Sequence, residues 1–528
     1  MKRKAFLLFF IILITMMVYS GGNSQSSTTT AGQKVTLKGF AYVTARLMSA
    51  VTNFNEVWAF QEAERVTGIH VDWVHPPVGQ HVEQCNLMIA SGDLPDFMYM
   101  PYNDIGGLSK LLADKTIIKL NQYLDAGKLP AYKAIMDKYP AVRRQLLMDD
   151  GTLAGFFMLR IREYGGQLGW FSNGGIMLRK DWMDGLNLKV PTTVAEYENV
   201  LRAFKTGDPN KNGKADELPL VTSAKNWNDF AQFWGLSTDF YDLNGVAKYG
   251  PIEPGFKNYI ATMARWQQDG LIDPDWPTVD DRMFQARFLE NRAGSHFSLV
   301  GTMGTLYDIM KDTIPNVDFI GIQNLKNDSD GKVYSTLLDL RQSFVNEASM
   351  ITSGCKNIDA TLKYLDWTYS AAGYEAFNWG QPNVSYVYKD GQKYFTDEIM
   401  NNPKGYPLDR ALSQYAMSMC QWSMAKDPDY WVQATLRFPF QYEAIDNWGK
   451  VDNAIAMPPI SQTPEEVRRF SQIMNDINTL RDETITKIIL GNEPVSSLDT
   501  MVSKMKDMGI DEAIKIRQAA LDRYYARK

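Results

Sequence analysis

The stretch from Lys34 to Pro101 limits what this chain can fold into more than any other. "KVTLKGFAYV" (Lys34–Val43) reads as a strand. "NEVWAFQEAERVTGIHVDWVHPP" continues as a helix stopped at Gly68 and then a second strand. "HVEQCNLMIASGDLPDFMYMP" repeats the scheme, with a helix ending near Gly92 before the apolar run Asp96–Tyr99. Strands that alternate with helices cannot pair as tight hairpins and need crossovers, so the expectation is a doubly wound, mostly parallel sheet. The fold class is α/β.

A second α/β stretch opens at "GGIMLRKDWMDGLNLKVPTTVAEYENVLRAFK", where Thr192 or Thr193 caps a helix running to Lys205 and Glu196 is the capping-box partner of Thr193. "NVDFIGIQNL" and "SFVNEASMI" read as further strands. The last quarter is mostly helical, with Thr463 capping "PEEVRRFSQIMNDINTLRDETITKIIL". No fixed-period repeat is present.

The N-terminus has the pattern of an export signal: Lys2, Arg3 and Lys4, an apolar run from Ala5 to Val18, and small residues up to Ser20. That run is shorter than the ~20 residues a membrane span needs. Residues 1–20 are therefore expected to be a signal peptide and 21–34, "GGNSQSSTTTAGQK", a flexible tether. The boundary lacks a lipobox cysteine, so the protein is expected in the periplasm or at the cell surface without that anchor. The formal charge of −6 argues against nucleic acid or an anionic membrane as partner. Three distant cysteines, Cys85, Cys355 and Cys420, allow one disulfide but no framework and no zinc knuckle.

Catalysis leaves no recognisable constellation. The histidines His70, His75, His81 and His296 show no metal-protease spacing, and no P-loop, nucleophile elbow or dinucleotide fingerprint occurs. A glycosidase carboxylate pair meets in space and not in sequence, so a secreted carbohydrate-active enzyme stays open as an alternative. One loop stands out. In "DPNKNGKADELP", Asp208, Asn210 and Asn212 alternate and Gly213 follows, as in the opening half of a calcium loop. Lys214 offers only its carbonyl, Asp216 falls at position nine, and Pro219 takes the place of the bidentate glutamate, with Glu217 two residues early. On its own the motif reads equally as a polar turn.

Three stretches together resemble one family. Gly174 to Leu220, "FNWGQPNVSYVYKDGQKYFTDEI", and the end "IILGNEPVSSLDTMVSKMKDMGIDEAIKIRQAALDRYYAR" are similar to extracellular solute-binding proteins of family 1. The likeness is to the longer, lipoprotein-like branch that serves ABC sugar importers and includes alginate-binding proteins. "ASGDLPDFMYM" and "DDGTLAGFFM" fit it as well. Two departures are visible: "VYSGGN" where most relatives carry a lipobox cysteine, and Gln381-Pro382-Asn383 where a glycine-containing run is usual.

The resemblance implies a two-lobed periplasmic-binding-protein fold of type II, with two or three crossing segments, a ligand cleft between the lobes and a helical C-terminal region. Expected boundaries are 35–155 with 340–400 for the first lobe and 156–339 with 401–528 for the second. It implies a receptor that performs no chemistry and passes an oligosaccharide to ABC permease subunits, acting as a monomer; a receptor for a peptide or another non-sugar solute is the remaining alternative. It also implies structural calcium held by Asp208, Asn210, Asn212, the Lys214 carbonyl, Asp216 and Glu217, apart from the cleft. Thirteen tryptophans suit sugar stacking. The expected ligand contacts are Trp170, Trp379, Trp422, Trp431 and Tyr99, with Arg341 for an acidic sugar; Trp73, Trp182 and Trp367 are expected in the core.

Overall fold

Strand β1 (Val35–Ala41) pairs in parallel with both β2 (Ile69–Val74) and β3 (Phe97–Pro101). The computed structural model describes residues 35–164, 167–224, 226–337, 342–417 and 422–527. The expected signal and tether, 1–34, and also Arg341 and Cys420 lie outside the described residues. Gly39 sits in β1 because the ring of Trp73 lies across it: a Cβ there would meet the ring at 2.7 Å. The two connecting helices, Trp58–Thr67 and His81–Ser91, end at Gly68 and Gly92, each at positive φ.

The sheet is completed by β4 (Phe156–Arg160), a strand at Phe344–Ile351 and a short one at Ala425–Lys426. In chain order the second sheet supplies β5 (Gly174–Arg179), β6 (Leu218–Leu220), β7 (Ala293–Leu299) and β8 (Phe319–Gly321), so the two late strands of the first sheet are β9 (Phe344–Ile351) and β10 (Ala425–Lys426). The strand orders are β10-β4-β9-β3-β1-β2 and β8-β5-β7-β6. β9 runs antiparallel to β3 and β4, and β5 antiparallel to β7 and β8, so each sheet is mixed. The reason is connectivity: a strand that leaves for the other lobe and one that returns from it must run in opposite directions.

The chain passes between the sheets after Arg160, before Phe344 and again after Lys426. The third passage comes later than expected. Ala425–Lys426 pairs with β4, and Met417, Trp422 and Met424 lie in the core of the first lobe, so 401–426 does not join the second lobe. Likewise 156–160 remains in the first sheet. Asp427 then caps the helix Pro428–Thr435, and Trp448 seats the following helix, Pro439–Gly449, against the second sheet. Trp448 lies over Gly175, where any Cβ would overlap its ring. Thr193 and Thr463 cap their helices as expected, and the Glu196 carboxylate accepts from the N–H and hydroxyl of Thr192.

The C-terminal helix Ile510–Ala526 belongs to the second lobe yet bonds to the first. Asp149 accepts from Arg523 Nε at 2.6 Å and from Arg527 Nη2 at 2.6 Å, and Arg523 also meets Glu466. The Arg527 side chain is only 3% exposed. Removing one partner of a buried pair leaves the other charge unsatisfied. Asp149→Ala is therefore expected to lower unfolding stability by about 2–4 kcal/mol; urea unfolding measures it, and an unchanged midpoint would show that the pair is idle.

Candidate functional site

The described ligand candidates separate into two groups. Trp422 has no exposed surface and sits among Phe54, Phe60, Trp73 and Tyr99, whose rings meet it at 5.0–5.8 Å. Trp379 is equally enclosed in a side cluster with Tyr386, Phe395 and Tyr430, and its Nε1 donates to Asp427 at 2.8 Å. Tyr99 is fully buried, its hydroxyl donating to Glu347 at 2.5 Å. These three are corrections: each ring is used up in packing and has no face left for a ligand. Trp73 and Trp182 lie in the cores as expected, and Trp367 packs on the first core while partly exposed.

Trp170 and Trp431 do come together. Trp170 lies in the first passage and Trp431 follows the last exit at Lys426, 261 residues apart in sequence but with ring centroids 6.0 Å apart. Phe171 stacks on Trp431 at 4.6 Å with planes 16° apart, and the Arg162 guanidinium covers Phe171 at 3.9 Å. Next in sequence, the Asn173 carbonyl accepts from Val300 N beside the half-exposed Leu299 at the end of β7. Phe171 and Arg162 carried no sequence signal, because only the passage of the chain places them against Trp431.

A cavity of about 770 Å³ also lies between the lobes. Its walls include Tyr102, Phe157, Gln342, Phe344 and Asn346 from the first lobe and Asp239, Phe240, Tyr241 and Arg517 from the second. None of the described sequence-predicted ligand residues lines it. Phe344 and Asn346 line the cavity, whereas Glu347, which accepts from Tyr99, is not among its walls. The cavity side also carries bonds that tie the lobes, Ser109 Oγ to the Gln462 carbonyl and Asp149 to Arg523. Of the aromatic group at the passages, Trp170 and Phe171 are only 4% and 5% exposed, and Trp431 is the ring that stays partly exposed.

The oxygen-rich loop follows the helix Val194–Thr206 and precedes β6. It closes on itself: Asp208 accepts from Asn212 N at 3.1 Å and from Gly213 N at 3.2 Å, and Lys214 N donates to Asn212 Oδ1 at 2.7 Å. The side-chain amides of Asn210 and Asn212 both donate to Asp216. Glu217 is 8% exposed and its Oε1 is buried with no hydrogen-bond partner. Burial, with Asp216 and Asp208 nearby, raises its pKa. An orphaned, buried carboxylate oxygen beside two further carboxylates suits a cation. Among the described residues no three His, Cys, Asp or Glu side chains converge as a metal group, but this loop's donor set also counts two amides and a carbonyl. Two histidines serve structure: His75 Nδ1 meets the Ala41 carbonyl, and His296, held by the Val221 carbonyl, is pushed down to about 4 by burial. Among the described cysteines, Cys85 and Cys355 are free thiols.

The model of the family described as bacterial extracellular solute-binding protein matches residues 49–375. The fructooligosaccharide ABC transporter substrate-binding protein FusA of Streptococcus pneumoniae is 24% identical over 514 residues, covering 94% of this chain and 92% of that one. The crystal structure of alginate-binding protein AlgQ2 without calcium ion is 25% identical, with a TM-score of 0.71 over 94% of this chain and all of that one. A FusA EF-hand mutant in complex with fructo-nystose is 21% identical and superposes at 0.71 over 93% of this chain and all of that one.

Trp422 gives the assignment of core against ligand surface a test. Truncating a large buried aromatic removes transfer energy and leaves a cavity, so Trp422→Ala should cost about 3–5 kcal/mol of unfolding free energy. A loss below about 1 kcal/mol in denaturant unfolding would return Trp422 to the exposed surface.

Proposed function

Because this chain belongs to the bacterial extracellular solute-binding protein family, we propose that it captures an oligosaccharide between its lobes and presents it to the permease of an ABC importer. The observation that carries this reading is the meeting of Trp170 and Phe171 from the first passage with Trp431 from the third. Aromatic faces and a guanidinium that belong to the connections between lobes change their spacing when the lobes move, so ligand contact there is coupled to closure. FusA and AlgQ2, similar over nearly the whole chain, carry names of saccharide-binding proteins, which supports a saccharide as the solute. Those relatives carry the names of binding proteins, and the family's extracellular description supports a place outside the cytoplasmic membrane.

Calcium belongs to the same proposal. Asp208, Asn210, Asn212, the Lys214 carbonyl, Asp216 and Glu217 would hold it, with Glu217 supplying the carboxylate that Pro219 cannot. Bound there, the ion neutralises three carboxylates and locks the turn between a helix and β6. The calcium and EF-hand wording attached to AlgQ2 and FusA supports the same reading.

Two measurements test it. In a thermal-shift screen with fructo-nystose and alginate oligosaccharides, at least one ligand should raise the melting temperature, since ligand at 100 times Kd adds about 2.7 kcal/mol. Trp431→Ala should then weaken binding about tenfold with the fold intact. Release of reducing ends from those saccharides would overturn the receptor reading. For the ion, a chelator should lower the melting temperature and calcium restore it, whereas magnesium, which prefers a small octahedral shell, should restore it poorly. Asp208→Ala should abolish the calcium response and leave saccharide affinity unchanged; identical melting curves with and without chelator would reduce the loop to a polar turn.

A further inference from the structure

We propose that Tyr42 is the aromatic surface on which the first lobe seats a ring of the bound saccharide, and that Glu347 positions it. This rests on the carbohydrate reading above. Tyr42 follows β1, and its N–H donates to the Tyr99 carbonyl at 3.2 Å, extending the pairing with β3 to the carboxyl edge of the sheet. Ligands of open α/β sheets bind at that edge. Tyr99 is sealed beneath, but Tyr42 is only partly buried and stacks on it, with centroids 5.6 Å apart and planes 20° apart. The buried ring thus serves as a base for the outer one.

The outer ring has polar neighbours of the kind that read hydroxyl groups. His81, at the start of the next helix, lies 5.3 Å from Tyr42, and its Nε2 is 3.3 Å from Asp104. Histidine and aspartate edging an aromatic face match the mix of a few convergent polar groups on an apolar wall found in small-molecule sites. Asp104 lies in the short turn Tyr102–Ile105 that follows β3, so all three side chains stem from consecutive strand-to-helix connections on one sheet edge.

Glu347 supplies the reason that Tyr42 holds its place. It stands opposite Pro101 in the pairing of β9 with β3 and is 7% exposed. Its carboxylate accepts from the hydroxyls of both Tyr99 and Tyr42, and the charges of Lys426 and Arg160 lie near it. Arg160 is the last residue before the first passage and Lys426 the last before the third. Burying a carboxylate is costly unless hydrogen bonds and charges satisfy it. Here both tyrosines and both lobe-exit residues are spent on one group, which fixes the Tyr42 ring relative to the passages that carry Trp170 and Trp431.

The test is a double-mutant cycle on saccharide affinity, measured by calorimetry with whichever of fructo-nystose and the alginate oligosaccharides binds the wild type. Tyr42→Leu keeps bulk and removes the aromatic face; binding should weaken about tenfold or more while the melting temperature stays within a few degrees. Tyr42→Phe keeps the face and loses the bond to Glu347, with an intermediate loss. Glu347→Gln should weaken binding in the wild type but add little in the Tyr42→Leu background, a non-additivity that a merely structural Glu347 would not give. Full affinity in folded Tyr42→Leu, or additive losses for the pair, would overturn the inference and leave the carbohydrate reading standing. A wild type that binds neither saccharide would overturn both.

Discussion

The insertion of β9 between β3 and β4 is the interaction on which the rest of the molecule depends. β9 is built from Phe344–Ile351, after the whole second sheet has been laid down, yet it forms a central strand of the first. The first sheet cannot be completed until the chain has gone out and come back. β4 leaves and β9 returns side by side, so the exit and re-entry points of the first sheet adjoin and give the lobes a narrow connection. A narrow hinge lets two rigid bodies rotate and gives the two faces of the sheet edge opposite fates, one opening as the other closes. The ties through Asp149 and Gln462 occupy one face; Tyr42, Glu347 and the lobe-exit residues Arg160 and Lys426 occupy the other.

Much of the architecture was legible because it is local. The strand–helix alternation from Lys34 to Tyr99, the glycine stops at 68 and 92 and the threonine caps at 193 and 463 are set by neighbours in sequence. The lobe boundary is not legible locally, because Ala425–Lys426 is a two-residue strand whose only signal is its partner β4, with Lys426 paired to Arg160 across 266 residues.

Pairing at that distance is a tertiary event, decided only when the sheets assemble. The tryptophans show the same limit. Trp422 and Trp379 stand in polar, turn-rich contexts, but side chains from distant segments close over them, and the same folding brings Phe171 and Arg162, which carry no motif, against Trp431.

Two buried glutamates show how one chemical problem finds two solutions. Glu347 is satisfied internally, by two tyrosine hydroxyls and two nearby cations. Glu217 has an oxygen with no partner and two carboxylates for neighbours, so repulsion adds to its desolvation. Such a group calls for an added positive charge, and the alternating oxygens of Asp208, Asn210 and Asn212 are placed to share it. The sequence spacing raised calcium as one of two readings; the orphaned oxygen of Glu217 is what favours it over a simple turn.

The central claim is that binding closes two lobes about the connections that leave the first sheet at Arg160 and Lys426 and re-enter it at Phe344. Small-angle X-ray scattering measures this directly, on the protein alone and saturated with a saccharide that calorimetry shows to bind. The account predicts a smaller radius of gyration in the saturated sample, with no change in molecular mass. Saturation that leaves the scattering curve unchanged would contradict it, since a ligand held between lobes that do not move would be bound by a preformed site and not by closure.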